Sequence, residues 1–210
     1  MIDIKTAIDD LKNGEFLIVV DDENRENEGD FVIPTETITP DIINFMTKEA
    51  RGLLCVSLPE ERLIKLGISP MTLDNTNHHG TAFYLSCEVK MGVSTGISAF
   101  DRFVTLKKLI DPNSKNEDFV FPGHTFPLKA ESGGVLVRRG HTEASADLAS
   151  LAGFLPSGVI IEIMDDDGRM ARLPKLEQIS KKFDINIVTI DSLVKYREDN
   201  NLLGSLYKDW

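Results

Sequence analysis

The chain has 210 residues and a formal net charge of −11, a length that suits one large domain or two small ones and a charge that argues against a nucleic-acid or anionic-membrane surface. No apolar run reaches the length of a membrane span, and the first residues lack the basic start and apolar core of a signal peptide. Cys55 and Cys87 lie in apolar, strand-like runs rather than in a disulfide framework, so a cytoplasmic location is expected.

Residues 3–11 place Ile4, Ala7, Ile8 and Leu11 on one helical face, with Asp3 as N-cap and Gly14 as the stop. A strand over 15–20 enters an acidic stretch, and a strand over 30–35 leaves it. Thr39-Pro40 starts a helix over 41–50. A strand over 53–58 and a short helix from Pro59 to about Gly67 follow. Residues 69–80 have no periodicity and read as a binding loop or lid. Residues 82–89 alternate as a strand, and 92–96 form a small, hydroxyl-rich loop able to approach a ligand. A helix runs from Ser98 or Ala99 to Leu109, residues 111–123 read as loop, and 125–129 and 134–138 as short strands. The next helix is capped by Thr142 and runs to about Ala152, leaving free backbone N–H groups beside His141 as an anion site. A buried strand over 159–164, a helix over 174–183, a strand over 185–190 and a last helix from Asp191 complete the order, with a poorly patterned tail after Asn200. Alternating helices and strands predict an α/β fold, a single compact domain with a mixed β-sheet covered by helices.

The acidic stretch, residues 21–30, reads Asp-Asp-Glu-Asn-Arg-Glu-Asn-Glu-Gly-Asp between two apolar runs. If extended, it puts Glu26, Glu28 and Asp30 on one face. A hard cation such as Mg²⁺ takes one or two such carboxylates, and Arg25 suits a phosphate or carboxylate. A solvated acidic loop is the plainer alternative. A calcium loop starting at Asp22 fails, because Asn27 stands where Gly is required and Ile33 where Glu is required.

Residues 138–143, Arg-Arg-Gly-His-Thr-Glu, gather two guanidiniums, an imidazole and a hydroxyl at a helix start. Glu162 interrupts an apolar strand; a buried carboxylate there must be paired, bind metal or stay protonated, whereas on an edge strand it would simply face water. His124 lies between turn residues, and a lone loop histidine is more often structural. Cys55 reads most simply as a small core residue. Dinucleotide, phosphate-loop, zinc-protease and nucleophile-elbow motifs are absent. These residues alone leave open a metal-dependent enzyme, a non-catalytic sugar-phosphate or nucleotide-binding module, and a metal-dependent phosphatase.

Residues 21–30 and the run Gly140-His141-Thr142-Glu143-Ala144 together resemble the signatures of the 3,4-dihydroxy-2-butanone 4-phosphate synthase family of riboflavin biosynthesis. Residues 80–83, 95–102, 122–124 and 133–136 match further motifs in the family's order, with Phe100 where Ala is usual and Arg139 where Gly or Ala is common. The resemblance covers residues 1–202 as one synthase domain and leaves 203–210 unassigned. It implies a homodimeric lyase that converts D-ribulose 5-phosphate to L-3,4-dihydroxybutan-2-one 4-phosphate and formate with Mg²⁺ (or Mn²⁺). The expected course is a metal-stabilised enediolate, dehydration, skeletal rearrangement and formate loss. By matching positions, Glu26 and His141 would hold the metal, and Arg25, Asp30, Arg138 and Thr142 would contact substrate. His124 and Glu162 would be needed for activity, Glu28 would serve as a further base or water-holder, and Cys55 would lie near the site. Some members carry a second, GTP cyclohydrolase II domain; this chain is too short to hold one and fits a stand-alone enzyme or half of a bifunctional protein.

Overall fold

Every residue of β1 (Leu17–Val20), β2 (Gly29–Pro34) and β3 (Cys55–Pro59) is buried, which requires cover on both faces of the sheet they build. In the computed structural model, which describes residues 1–207, they join β4 (Cys87–Val89), β5 (Phe119–Ala130), β6 (Gly158–Glu162) and β7 (Ile187–Thr189) in one seven-stranded sheet of order β4-β5-β3-β6-β2-β1-β7. The β1–β7 and β3–β5 pairs are parallel and the remaining neighbours antiparallel, so the sheet is mixed.

Strand alternation divides the core in two. Ile18, Val20, Phe31, Ile33, Val159 and Ile161 face one layer, made by α2 (Pro40–Ala50), α3 (Glu60–Lys65), α4 (Ala99–Ile110) and α6 (Leu173–Phe183). Leu17, Val19, Val32, Cys55 and Ile160 face the other, made by α1 (Ile4–Lys12), α5 (His141–Leu151) and α7 (Ile190–Asp199). The expected caps are present: Asp3 accepts from Thr6 N at 3.0 Å and Thr39 from Ile42 N at 3.2 Å.

α5 differs from its neighbours because it is buried on nearly every side, from His141 to Ala149. Small residues make that possible. The Ser145 hydroxyl donates to Ser57 Oγ at 2.8 Å, and Ser57 Oγ accepts from Gly158 N at 2.9 Å, so α5 lies directly on β3 and β6. This contact aims the helix N-terminus at the sheet edge where β1 and β6 end and β2 and β3 begin.

Some expectations change. Residues 134–138 do not form a strand: Gly134 has φ +62° and opens a 3-10 turn over Gly134–Leu136. Only Cys87–Val89 of the segment 82–89 is a strand, with Phe83 and Tyr84 in single bridges. β5 begins at Phe119, inside the expected loop. Thr142 does not cap α5: the helix begins at His141, two residues earlier than such a cap requires, with Gly140 as N-cap and Thr142 already inside the first turn. The loop over 92–96 is tied to α4 through Asp101, which accepts from Ser94 Oγ (2.8 Å), Ser94 N (3.1 Å) and Gly96 N (3.0 Å). Of the unassigned tail, residues 203–207 are described; 208–210 lie outside the described residues.

Two consequences can be measured. A Cβ on Gly158 would come within 2.6 Å of Ser145 Cβ. Gly158→Ala should therefore push α5 from the sheet and cost about 2 kcal/mol, read from the urea midpoint. The Ser94 hydroxyl, then the Ser94 and Gly96 amides, hold the Asp101 carboxyl below the usual range. A group lowered on folding stabilises the fold above its unfolded pKa, and the effect is lost as pH falls through the folded value. Asp101→Asn should thus lower stability at neutral pH and make little difference at strongly acid pH.

Candidate active site

The acidic stretch is organised by its first carboxylate. Asp21, buried at the end of β1, accepts from Glu28 N at 2.8 Å with one oxygen. Its other oxygen accepts from Glu26 N at 3.0 Å and Arg25 Nη1 at 2.9 Å. Arg25 bridges onward to Glu26 Oε2 at 2.7 Å. Asn27 takes φ +56°, a turn conformation that asparagine tolerates. From the start of α6, Arg172 Nη1 donates to the carbonyls of Glu26 (2.7 Å) and Asn27. The stretch is therefore a closed turn and not an extended strand, yet Glu26, Glu28 and Asp30 still converge on one cavity of about 210 Å³.

Asp30 and Glu162 are direct partners in the β2–β6 register. β6 is central, so the edge-strand alternative for Glu162 falls. Glu162 Oε2 accepts from Leu53 N at 2.8 Å. Asp30 is 2% exposed and its Oδ1 has no hydrogen-bond partner. Burial, reinforced by Glu162, Glu26 and Glu28 and opposed by His141, pushes Asp30 up to about 7.

His141, the first residue of α5, is buried against this group. Its Nε2–H donates to the Val19 carbonyl at 3.2 Å, and Nδ1 faces Glu26 Oε2 at 3.5 Å. Burial alone would lower its pKa, but the Asp30, Glu26 and Asp21 carboxylates outweigh it and hold His141 at about 9. Burial likewise opposes ionisation of Glu26, yet the His141 contact and Arg25 hold it at about 2.

The opposite wall is basic. Arg138 Nη1 donates to buried Glu143 Oε2 at 2.5 Å, and Nη2 donates to the His79 carbonyl (3.2 Å) and Thr81 Oγ1 (3.1 Å). Its Nε is buried without a partner. Thr142 and Cys55 also line the cavity, as do Asn77 and His79 from the loop over 69–80. Burial, with Glu162 and Asp30, pushes the Cys55 thiol well up, so it is not a thiolate nucleophile. A larger groove of about 650 Å³ lies against α4, without such a cluster.

Every expected site residue lines this cavity except His124. That side chain is exposed on β5, beside the β4–β5 register shift, where Nδ1 meets Glu88 Oε2 at 2.9 Å. Within a single chain it is not among the residues that the cavity gathers. Asp21, Arg172 and Glu143 went unassigned in the sequence. Asp21 stood at a strand end in the acidic run, whereas Arg172 gave no local signal.

The donor set fits a hard divalent cation. Asp21, Glu26 and His141 offer ligand atoms within 4.8 Å of one another. Asp21 already accepts three bonds, which leaves Glu26 Oε2 and His141 Nδ1. A ring N–H given to a backbone carbonyl, as Nε2 gives to Val19, is the usual way to orient a metal-binding histidine.

Fold and site define an α/β protein with an acidic, metal-competent cavity faced by a buried arginine. Residues 5–196 match the family model of 3,4-dihydroxy-2-butanone 4-phosphate synthase, and the chain belongs to that family. The riboflavin biosynthesis protein RibBA of Aquifex aeolicus is 55% identical over 196 residues, covering 92% of this chain and 48% of that protein. The chain thus spans about half the length of the RibBA relatives it matches. The solved Candida albicans synthase superposes with a TM-score of 0.85 at 46% identity, covering 93% of this chain and 97% of that one. A solved synthase in complex with two magnesium ions gives 0.91 at 36% identity, covering 97% and 100%.

Arg172 does not line the cavity; it holds the backbone between two cavity carboxylates, Glu26 and Glu28. Arg172→Met should keep the melting temperature near wild type and weaken Mg²⁺ binding about tenfold by calorimetry.

Proposed function

We propose that this chain converts D-ribulose 5-phosphate to L-3,4-dihydroxybutan-2-one 4-phosphate and formate, as a cytoplasmic, homodimeric lyase using Mg²⁺ (or Mn²⁺). The observation that carries this reading is one cavity with a Glu26–His141 pair, a facing Asp30–Glu162 carboxylate pair and, opposite, an arginine whose buried Nε has no partner. The two products together contain the atoms of the substrate, so no oxidant or reductant is consumed. The work is proton transfer, positioning and stabilisation of charge.

Glu26 and His141 would hold the cation, which when bound supplies Lewis-acid stabilisation of negative charge on the ketone oxygen. Arg138 Nε would bind the phosphate on the wall opposite the carboxylates, with the positive end of α5 standing between the two walls. This orientation places the sugar carbons over Asp30 and Glu162. Asp30, with an oxygen free of protein partners, and Glu162, oriented by Leu53 N–H, would remove and return protons. Glu28 would serve as a further base or hold the water lost on dehydration. Arg25 would act on substrate only indirectly, since Asp21 and Glu26 occupy it. Thr142 would contact the substrate from the first turn of α5. Cys55 would contribute shape as a neutral thiol. His124, exposed and away from this chain's cavity, would act only if the expected homodimer brought it to the partner's cavity. We assign the synthase unit to residues 1–202. Among the described residues no helix is long and apolar enough to cross a membrane.

The test is formate release from ribulose 5-phosphate with Mg²⁺ and with EDTA. Formate that disappears with EDTA and in Glu162→Gln, while the circular dichroism of the variant is unchanged, supports the reading. Inorganic phosphate in place of formate would identify a phosphatase, and binding without turnover a non-catalytic module; near-normal turnover of Glu162→Gln would remove its proton role.

A further inference from the structure

Arg197 is fully buried near the end of α7, outside the cavity. Its guanidinium is used on all sides. Nη1 donates to Asp147 Oδ2 at 2.7 Å and to the Gly133 carbonyl at 2.9 Å. Nε and Nη2 donate to the Leu202 carbonyl at 3.1 and 3.0 Å, and Nη2 donates to the Gly204 carbonyl at 2.7 Å. A planar fork with five donors can hold such a divergent set; an ammonium cannot.

The acceptors lead to the cavity. Asp147 lies on α5, and the oxygen that receives Arg197 also accepts from Val135 N at 2.9 Å. Gly133, Gly134 and Val135 are thus held from below at two points. Any Cβ on Gly134 would strike the Asp147 carboxylate and the Arg197 guanidinium, so the turn closes on the pair without a gap. The Gly134 carbonyl then accepts from Val137 N at 3.0 Å and from Arg138 N at 3.1 Å. One turn earlier on α5, Glu143 accepts from Glu131 N at 3.2 Å and from Arg138 Nη1. Two acidic residues of one helix therefore hold the two halves of the segment that carries Arg138, and Arg197 locks the second of them.

We propose that the Arg197–Asp147 pair is a positioning device for Arg138: through the Gly133–Val135 turn it sets where the Arg138 guanidinium meets the substrate phosphate. This rests on the reading of Arg138 as the phosphate holder. The bonds to Leu202 and Gly204 tie the chain that follows α7 to the same turn.

The predicted signature separates positioning from mere stability. Loss of a buried scaffold lowers the amount of active protein and hence apparent kcat; misplacement of a binding group raises KM and leaves kcat per folded molecule in place. Arg197→Lys keeps the charge but loses the fork, and Asp147→Asn keeps an acceptor for Val135 N but loses the charge. Each should raise KM for ribulose 5-phosphate and Kd for inorganic phosphate about tenfold. Kd for Mg²⁺ should stay near wild type, because the Glu26–His141 side does not hang from this turn. Arg197→Met, which leaves Asp147 buried and unpaired, should do more, and the two conservative variants serve if it fails to fold. Arg138→Met is the reference. If Arg138→Met leaves KM and phosphate Kd unchanged, the phosphate reading and this inference fall together. If Arg138→Met weakens both while the Arg197 and Asp147 variants remain wild type, or lose Mg²⁺ and phosphate binding in parallel, the positioning role falls alone.

Discussion

Carboxylates that repel one another, gathered around one imidazole, are the constraint on which the site depends. Glu26, Glu28, Asp30 and Glu162 line a single cavity beside His141. Like charges this close cannot all stay ionised without a cation among them. The chain meets this with three devices. Arg25 and His141 pair with Glu26. Asp30 sits deepest and is pushed toward neutrality. Asp21 is removed from the cluster by giving both oxygens to the loop's own N–H groups and Arg25. Removing it converts an acidic run into a shaped one: the carboxylate that could have added to the repulsion fixes the turn that presents the others.

The sheet dictates where this cluster stands. β1 and β6 end, and β2 and β3 begin, at one edge, so Asp21, Asp30, Glu162 and Cys55 reach it from four adjacent strands. α5 then supplies the neutralising end. Its burial on small residues lets it lie close to the sheet, and its N-terminus brings both the His141 imidazole and the positive end of the helix dipole to the carboxylates. A bulkier helix would stand farther off, and His141 could not reach the Val19 carbonyl.

Much of this was legible in the sequence because it is local. Apolar periodicity located most strands and helices, Asp3 and Thr39 announced their helix starts, and the spacing of Glu26, Glu28 and Asp30 showed that they would converge. The convergence arises from a closed turn and not from the extended strand that the spacing suggested, because Asp21 competes for the backbone N–H groups. The segment 134–138 misled because a short apolar run does not distinguish a strand from a buried turn, and only the packing of Gly134 against Asp147 and Arg197 decides it. The α5 cap was misplaced by two residues, at Thr142 instead of Gly140, within the usual uncertainty of a helix boundary. His124 sits away from the cavity for a reason no local pattern carries: the β4–β5 register shift sets it beside Glu88. Arg172 and Arg197 were invisible because most of their acceptors are backbone carbonyls, which every residue offers and no motif marks, and because Asp147, the one carboxylate Arg197 meets, lies 50 residues away in sequence.

The two walls of the cavity are therefore held by different means. The acidic turn closes over short distances in sequence, with Asp21 reaching only to Glu28, and its backbone is held from afar by Arg172, while Glu162 is fixed by the β2–β6 pairing and the Leu53 amide. The basic wall hangs from α5 and α7, through Glu143, Asp147 and Arg197; Arg138 meets the loop over 69–80 at the His79 carbonyl and, just past the loop, bonds the Thr81 hydroxyl. That loop is largely exposed and organised by its own side chains, with Asn77 accepting from His79 N and Thr81 N. Few long-range bonds oppose its movement, whereas Arg138 beneath it is fixed on both flanks. Such an arrangement lets a substrate enter past the loop while the group that would anchor its phosphate and the groups that would move its protons keep their spacing. Preorganisation of this kind favours the charged transition state because the polar groups need not reorient as charge develops.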